Sequence, residues 1–272
     1  MAIRFLRPLE KRTRRPEGDL ASTDLTSTDL EPARSRLALA RRILVVTGAG
    51  ISVAAGLPTF RGAGGLYDGP DGVPPYLHAE SLPESLPQVW AFWGPFRDAV
   101  RAVEPTHAHR VLAAWQHARE QAGHEVTLVT ANVDDLHERG GSSRVHHLHG
   151  SVFRTTCLDP GCSGRVDGDE RTDPSTVPCD VCGGPTRPGM VMFGEAVDLD
   201  AQWAARQMLR QCEALVSIGT SGTVTPPHSW LRYARDVGAP SILVNPDPDA
   251  GDGFDLHVRL TADVAVPLLF ES

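Results

Sequence analysis

The sequence lacks any long apolar run and is poor in positive charge. No stretch approaches the roughly 20 apolar residues that cross a bilayer, and the opening MAIRFLRPLEKRTRRPEGD has no apolar signal-peptide core. We therefore expect a cytoplasmic protein with no membrane partner. Lysine and arginine number 26 against 34 aspartate and glutamate residues, a formal net charge of −8. Because nucleic-acid-binding proteins usually concentrate positive charge, we expect no direct nucleic acid partner.

Cysteine is also scarce, with five residues in 272, and four of them are clustered. Four residues separate Cys157 from Cys162, two separate Cys179 from Cys182, and 16 lie between the pairs. Two short turns with this spacing are typical of a closed tetrahedral Zn²⁺ site with no position for water. We therefore predict one structural zinc ion; the alternative is a chance cluster of free thiols. Cys212 is predicted to be a small buried residue.

The composition is that of a folded protein, with 41% hydrophobic and 22% charged residues. Four short apolar runs are candidate buried strands: ILVVT at 43–47, VTLVT at 126–130, ALVSIG at 214–219 and SILVN at 241–245. Helical stretches such as AHRVLAAWQHARE and AQWAARQMLRQCE separate them. This alternation predicts an α/β fold with a Rossmann-like parallel sheet.

Ligands of such folds bind at the carboxyl ends of the strands. Small or polar residues stand at or just beyond the ends of the predicted strands: Gly48, Thr130, Gly219 and Asn245. We expect these four residues to lie along one edge of the sheet, where they would line a single crevice.

The segment containing the cysteines interrupts the alternation and predicts a smaller second module. Residues 1–30, which include ASTDLTSTDL, have little apolar surface to bury and are predicted to be a flexible tail. The remainder, 31–272, divides into a Rossmann-like part at about 36–75, 105–152 and 188–272, and a small domain made of a helical segment at about 76–104 and the zinc module at 153–187.

The glycine loop TGAGIS follows the first predicted strand and could bring backbone amides close to a pyrophosphate. The dehydrogenase fingerprint requires a third glycine where Val53 stands and an acidic residue about 20 positions further on, at the end of a second strand. Neither requirement is met. A hydride-transferring dehydrogenase is therefore a poor fit, whereas a dinucleotide pocket is compatible with this loop.

Several separated motifs resemble those of the sirtuin family over roughly residues 36–272. In chain order they are GAGISVAAGLPTFRG at 48–62, TANVDDLHERGG at 130–141, HLHG at 147–150, RPGMVMFGE at 187–195, GTSGTVTPP at 219–227 and VNPD at 244–247. The four clustered cysteines lie between the third and the fourth of these motifs. The resemblance implies an NAD-dependent protein lysine deacetylase. It also implies that NAD and the acyl-lysine lie in the cleft between the Rossmann-like domain and the inserted zinc-ribbon and helical domain.

Carried over residue by residue, the resemblance makes His149 the general base that acts through the ribose hydroxyls of NAD. Asn132 and Asp134 would hold the nicotinamide ribose. The remaining cofactor contacts that the resemblance implies are Gly48, Ala49, Gly50, Ser52, Phe60, Arg61, Thr130, Gly219, Thr220, Ser221 and Asn245. The products would be nicotinamide, free lysine and O-acetyl-ADP-ribose, and FGE at 193–195 would pair with the substrate peptide.

The segment VWAFWGPFRD at 89–98 bears on the acyl group. Sirtuins that prefer succinyl or malonyl lysine carry a tyrosine and, three residues later, an arginine in the matching segment. In this sequence Trp93 stands at the position of the tyrosine and Phe96 at that of the arginine. A carboxylate without a cationic partner is costly in an apolar channel, so we expect neutral acyl groups, with acetyl first. The alternatives are that both aromatic residues simply pack the helical module, or that the neighbouring Arg97 reaches the channel.

Two substitutions depart from the family pattern: Ala131 replaces the usual glutamine and Thr59 a frequent aspartate. The neighbouring His146 and His147 are predicted to be structural. Two other functions stay open at this point: a sirtuin-fold protein ADP-ribosyltransferase, and a non-catalytic module that binds NAD or acyl-lysine. Because His149, Asn132 and Asp134 are all retained, the catalytic interpretation is favoured.

Overall fold

The computed structural model describes residues 29–62, 64–67, 72–169, 171, 177–221 and 227–271. The predicted N-terminal tail lies outside the described residues except for Asp29 and Leu30. The strands are β1 (Arg42–Thr47), β2 (Glu125–Thr130), β3 (Val145–His147), β4 (Gly150–Cys157), β5 (Arg165–Val166), β6 (Thr186–Met190), β7 (Ala214–Ile218), β8 (Ser241–Val244) and β9 (Leu256–Val258). The helices are α1 (Leu30–Leu39), α2 (Leu86–Ala102), α3 (His107–Gln121), α4 (Leu136–Arg139), α5 (Leu199–Leu209), α6 (Pro227–Asp236) and α7 (Ala262–Phe270).

Six parallel strands form the main sheet in the order β3-β2-β1-β7-β8-β9. The four strands predicted from apolar runs are its four central members, which confirms the parallel α/β fold class. The two edge strands, β3 and β9, were not predicted, because three residues each carry too little pattern. None of the helices in the described ranges is long and apolar enough to cross a membrane.

Successive residues of β1 face opposite sides of the sheet and so enter two different cores. Ile43 and Val45 pack with α1, α3 and α7, whereas Leu44 and Val46 pack with α5 and α6. Both faces of the sheet are therefore covered, as the continuous apolar character of the central strands requires. Cys212 is buried in the second core, as predicted.

A smaller antiparallel sheet in the order β5-β4-β6 carries the cysteines. Helix α2 packs against it: the indole of Trp90 donates a hydrogen bond to the carbonyl of Thr186 at 3.0 Å. A third apolar core joins α2 to the loop after β1, to Met190 at the end of β6 and to Met192 just beyond it. The helical segment and the cysteine segment thus contact each other directly.

The loops that follow β1 and β7 touch through their backbones. The amide of Gly50 donates to the carbonyl of Gly219 at 2.9 Å, and Gly219 has a φ of +64°. A Cβ added to Gly219 would lie 2.6 Å from the nitrogen of Ile51 and 2.7 Å from Cα of Gly50. Only glycine therefore permits this approach, which fixes the loop after β1 above the sheet.

We expect Gly219→Ala to lower the free energy of unfolding by roughly 3 kcal/mol, because it combines a left-handed backbone with a backbone clash. Gly238→Ala is the matched control: its φ is +75° but no atom lies within 4 Å of the added Cβ, so a loss of about 1 kcal/mol is expected. Urea unfolding of both variants measures the difference. Equal losses would mean that the contact between the loops contributes nothing.

Candidate functional site

The carboxyl ends of β1, β7 and β8 are connected across the sheet by hydrogen bonds beyond the strands. The amide of Gly48 donates to Ile218 at 3.0 Å, and that of Gly219 donates to Val244 at 2.9 Å. The side-chain amide of Asn245 donates to the carbonyl of Thr220 at 2.6 Å. Together with Thr130 at the end of β2, the residues expected along one edge of the sheet do lie there.

A buried hydrogen-bond network joins the loop after β1 to the loop after β2. The hydroxyl of Ser52 donates to the carboxylate of Asp134 at 3.0 Å and accepts from the side-chain amide of Asn132 at 3.3 Å. Burial raises the pKa of Asp134 to about 6, although hydrogen bonds from the Leu136 amide and from Ser52 oppose the rise. All three residues of this network were predicted site residues, and the structure brings them together.

Asn132 also has an unused acceptor. Its Oδ1 is buried and has no hydrogen-bond partner within the part of the chain that the structure describes. A buried acceptor left unpaired costs about 1–3 kcal/mol, so it is suited to a ligand hydroxyl. This atom and the close glycine backbones fit the ribose and the phosphates of NAD, respectively.

His149 lies at the junction between the two sheets. It separates β3 from β4, and its carbonyl accepts a hydrogen bond from the Val191 amide at 3.0 Å. Gly150, which follows, has a φ of +71°, and an added Cβ there would collide with the Gly189 carbonyl. Burial lowers the pKa of His149. Its imidazole is therefore neutral near pH 7 and can accept a proton.

His137, for which no role was predicted, lies beneath the site. Its Nε2 is 2.8 Å from the hydroxyl of Thr47, which in turn donates to the hydroxyl of Thr130 at 2.9 Å. The hydroxyl of Thr130 also accepts from the amide of Asn132 at 3.0 Å. His137 thus ties α4 to the ends of β1 and β2. The only sequence signal for His137 was its position seven residues after Thr130, within the same motif. That position does not reveal its hydrogen-bond partners.

His147, one of the two histidines interpreted as structural, supports the same loop. Its Nδ1 lies 3.0 Å from the carbonyl of Asn132 and its Nε2 lies 2.7 Å from the carboxylate of Glu138. Burial lowers the pKa of His147, but the hydrogen bond and charge of Glu138 raise it further, and the net shift is upward. His147 therefore orients the backbone at Asn132, and Glu138 is a partner that the sequence did not indicate.

The other predicted cofactor contacts surround this edge. Ala49 and Gly50 are half-buried, while Arg61 and Ser221 are exposed. The hydroxyl of Thr220 is 2.7 Å from that of Ser217. Residues 222–226 of the motif GTSGTVTPP lie outside the described residues.

Phe60 belongs to an aromatic cluster, which we define as Phe60, Tyr67, Phe92, Trp93, Phe96 and Phe193. Ring centroids are 5.7 Å apart for Phe60 and Tyr67, 6.0 Å for Phe60 and Phe96, and 5.4 Å for Tyr67 and Phe193. The aromatic cluster therefore connects the loop after β1 with α2 and with the FGE segment. Its rings form an apolar wall beside the candidate NAD site.

The four cysteines converge as predicted. The Sγ atoms of Cys157, Cys162, Cys179 and Cys182 all lie within 4.8 Å of one another, with 3.5 Å between Cys157 and Cys182 and 3.7 Å between Cys162 and Cys179. A tetrahedron of sulfurs about 2.3 Å from Zn²⁺ has edges of about 3.8 Å. The cluster can therefore hold a zinc ion, and four thiolates fill its coordination shell.

Comparisons with known proteins agree with this geometry. A sequence model of the Sir2 family matches residues 48–226. An NAD-dependent protein deacylase of Ralstonia nicotianae is 38% identical over 87% of this chain and 94% of its own length. A solved Sir2 homologue in complex with NAD superposes with a TM-score of 0.74 at 31% identity, over 88% of this chain and 92% of that one. Sir2Af2 bound to a myristoylated histone peptide gives a TM-score of 0.67 at 28% identity, over 90% and 95%.

We expect one tightly bound zinc ion per chain, and we expect its removal to unfold the small sheet, because zinc binding and folding are coupled in such sites. Cys179→Ser should lose the metal and lower the melting temperature. Cys212→Ser is the matched control, since that thiol lies outside the cluster and should leave the zinc content at one. Metal analysis and thermal melting provide the readouts. Metal-free protein that keeps its melting temperature would contradict the assignment.

His109 and His137, which lie side by side beneath the site, predict that the fold loses stability in acid. Burial lowers the pKa of His109 to about 4, and burial also holds the pKa of His137, whose ring centroid is 4.8 Å away, well below its usual range. As the pH falls, the histidines of the unfolded chain take up protons first, near pH 6.5. The contribution of the two neutral, buried histidines to the free energy of unfolding is therefore fully present above that pH. It is lost progressively as the pH falls toward 4.

Between pH 7 and pH 5, His109 alone should account for a loss of about 2 kcal/mol in the free energy of unfolding. His109→Asn cannot titrate, so its stability should change less over the same interval. Urea unfolding of both proteins at the two pH values provides the comparison. The idea is wrong if the two proteins lose stability equally.

Proposed function

The chain belongs to the Sir2 family and is an NAD-dependent protein lysine deacylase, and we propose that it prefers acetyl and other neutral acyl groups. The observation that carries this preference is the aromatic cluster, which contains no cation. A carboxylate buried against such a wall without a partner would be strongly disfavoured. An acyl chain without charge would instead gain from contact with the rings.

Arg97, which follows Phe96 on α2, is buried in an ion pair, although its guanidinium nitrogens have no hydrogen-bond partner among the described residues. Its side chain is 2% exposed, and Nη2 lies 3.5 Å from the carboxylate of Asp169. The guanidinium also lies over the ring of Phe153, 5.5 Å from the centroid. Asp169 lies between the two cysteine pairs, so Arg97 is directed toward the zinc module. This arrangement supports neutral acyl groups over acidic ones.

NAD, as co-substrate, supplies the ADP-ribose to which the acyl group passes. We assign His149 the role of general base toward a ribose hydroxyl, because burial favours its unprotonated form near neutral pH. Asn132 would accept a hydrogen bond from a ribose hydroxyl through its unpartnered Oδ1. Ser52 and Asp134 would hold the Asn132 amide in place through the hydrogen bonds described above.

The remaining predicted residues would bind the rest of the nucleotide. The backbone amides around Gly48 and Gly50 suit the phosphates, and Phe60 and Arg61 would line the pocket for nicotinamide and phosphate. Thr220, Ser221 and Asn245 would contact the adenosine half. The acetyl reaction would yield nicotinamide, free lysine and O-acetyl-ADP-ribose.

The test is to incubate the protein with NAD and a peptide carrying acetyl-lysine, and to record the masses of both peptide and nucleotide. We expect loss of the acetyl mass from the peptide and formation of O-acetyl-ADP-ribose. A gain of ADP-ribose on protein would indicate an ADP-ribosyltransferase instead. No change in either mass would leave only a binding module.

His149→Ala should lower kcat/KM for deacetylation by about 10²-fold to 10⁴-fold, the usual contribution of a general base. His146→Ala is the matched control: it removes a half-buried histidine three residues away and should cost far less. Circular dichroism and thermal melting check that both variants are folded. Similar losses in the two variants would remove the role given to His149.

A further inference from the structure

Trp93, in the aromatic cluster, has an unused hydrogen-bond donor. Its side chain is 94% buried, and its indole Nε1 has no hydrogen-bond partner in the part of the chain that the structure describes. Its ring contacts Phe92 at 5.0 Å and Phe96 at 5.7 Å, both edge to face, and Phe60 at 6.4 Å. An indole N–H inside an apolar wall normally finds a partner when it is buried.

Trp90, one turn earlier on α2, shows the usual arrangement. It is buried to a similar extent, and its indole donates to the carbonyl of Thr186 at 3.0 Å. The two tryptophans therefore differ in one respect: the donor of Trp90 is used within the fold, whereas that of Trp93 is not. An unpaired buried donor costs about 1–3 kcal/mol, which a ligand acceptor can recover.

The surroundings restrict what that ligand acceptor can be. The side chains of Phe60, Phe92 and Phe96 carry no oxygen or nitrogen, so a bound molecule would have to supply a side-chain-like acceptor for this N–H. A carboxylate is disfavoured, because a single neutral N–H cannot replace the solvation of a buried charge. The guanidinium of Arg97 is paired with Asp169. A neutral oxygen, such as a hydroxyl, suits the site best.

We propose that Trp93 selects among neutral acyl chains by donating its indole N–H to an oxygen carried on the chain. The preferred substrates are then hydroxyacyl-lysines, such as 3-hydroxybutyryl-lysine, over plain aliphatic chains of equal length. This inference rests on the proposed function, since it requires the acyl group to lie against the aromatic cluster. The indole N–H would add a polar contact to the aromatic cluster, which would otherwise distinguish acyl groups only by their size and charge.

The experiment compares kcat/KM on one peptide bearing butyryl, 3-hydroxybutyryl or succinyl lysine. A net hydrogen bond predicts a preference of about fivefold for 3-hydroxybutyryl over butyryl in the unaltered protein. Trp93→Phe keeps an aromatic ring and removes the donor, so its ratio should fall to about one. Trp90→Phe is the matched control: it removes an indole whose hydrogen bond lies within the fold, and it should keep the fivefold ratio.

Each outcome is decisive. A ratio near one in the unaltered protein would mean that the neighbouring rings satisfy the Trp93 N–H, and would overturn the inference even if Trp93→Phe fails to fold. A preference kept in Trp93→Phe, or lost equally in Trp90→Phe, would also overturn it. A preference for succinyl would overturn both this inference and the preference for neutral acyl groups. Failure to turn over any acyl peptide would instead reject the proposed function itself.

Discussion

The close approach of two glycine loops at the carboxyl edge of the parallel sheet is the constraint on which the site depends. β1 lies in the middle of the sheet, between β2 and β7, so the loops that follow these strands meet above one edge. Gly50 and Gly219 allow their backbones to touch, which places the amides after β1 beside the end of β7. A Cβ at either position would lie 2.6 Å from a backbone atom of the other loop, so side chains there would force the loops apart.

Hydrogen bonds beneath this edge of the sheet hold the polar side chains of the candidate site in position. His137 connects Thr47 and Thr130, while Ser52 connects Asn132 and Asp134. Buried polar groups are stabilising only when they are paired, and most of this network is paired within the fold. The Oδ1 of Asn132 is an exception. The Nδ1 of His137 also has no partner among the described residues. Of the two, Asn132 lies in the loop after β2, at the strand ends where ligands of such folds bind.

The sequence was sufficient to predict those parts whose signal is local. The four central strands appear as short runs rich in β-branched residues, and the cysteine spacing indicates the four-cysteine cluster. β3 and β9 were missed because each has three residues, and α7 because ADVAVPLLF is apolar almost throughout and shows little helical period. The motifs indicated the candidate site residues, whereas partners such as Glu138 depend on side-chain directions that only the folded chain defines.

The pair formed by Arg97 and Asp169 illustrates what local signals cannot reveal. The two residues are far apart in sequence, yet their side chains are 2% and 1% exposed and face each other. Although burial raises the pKa of Asp169, hydrogen bonds from Arg171 and Thr155 hold it well below its usual range, so the carboxylate stays charged.

Removing Asp169 would leave the buried guanidinium of Arg97 without its ion-pair partner, at a cost of about 3–5 kcal/mol. Removing Arg97 would leave Asp169 still paired with Arg171. Arg97 lies on α2, directly after Phe96, and Asp169 lies between the cysteine pairs. The ion pair therefore holds the helix that carries much of the aromatic cluster against the module that carries the four cysteines. The four-cysteine cluster and the aromatic cluster are thus parts of one mechanical unit, although they share no residue.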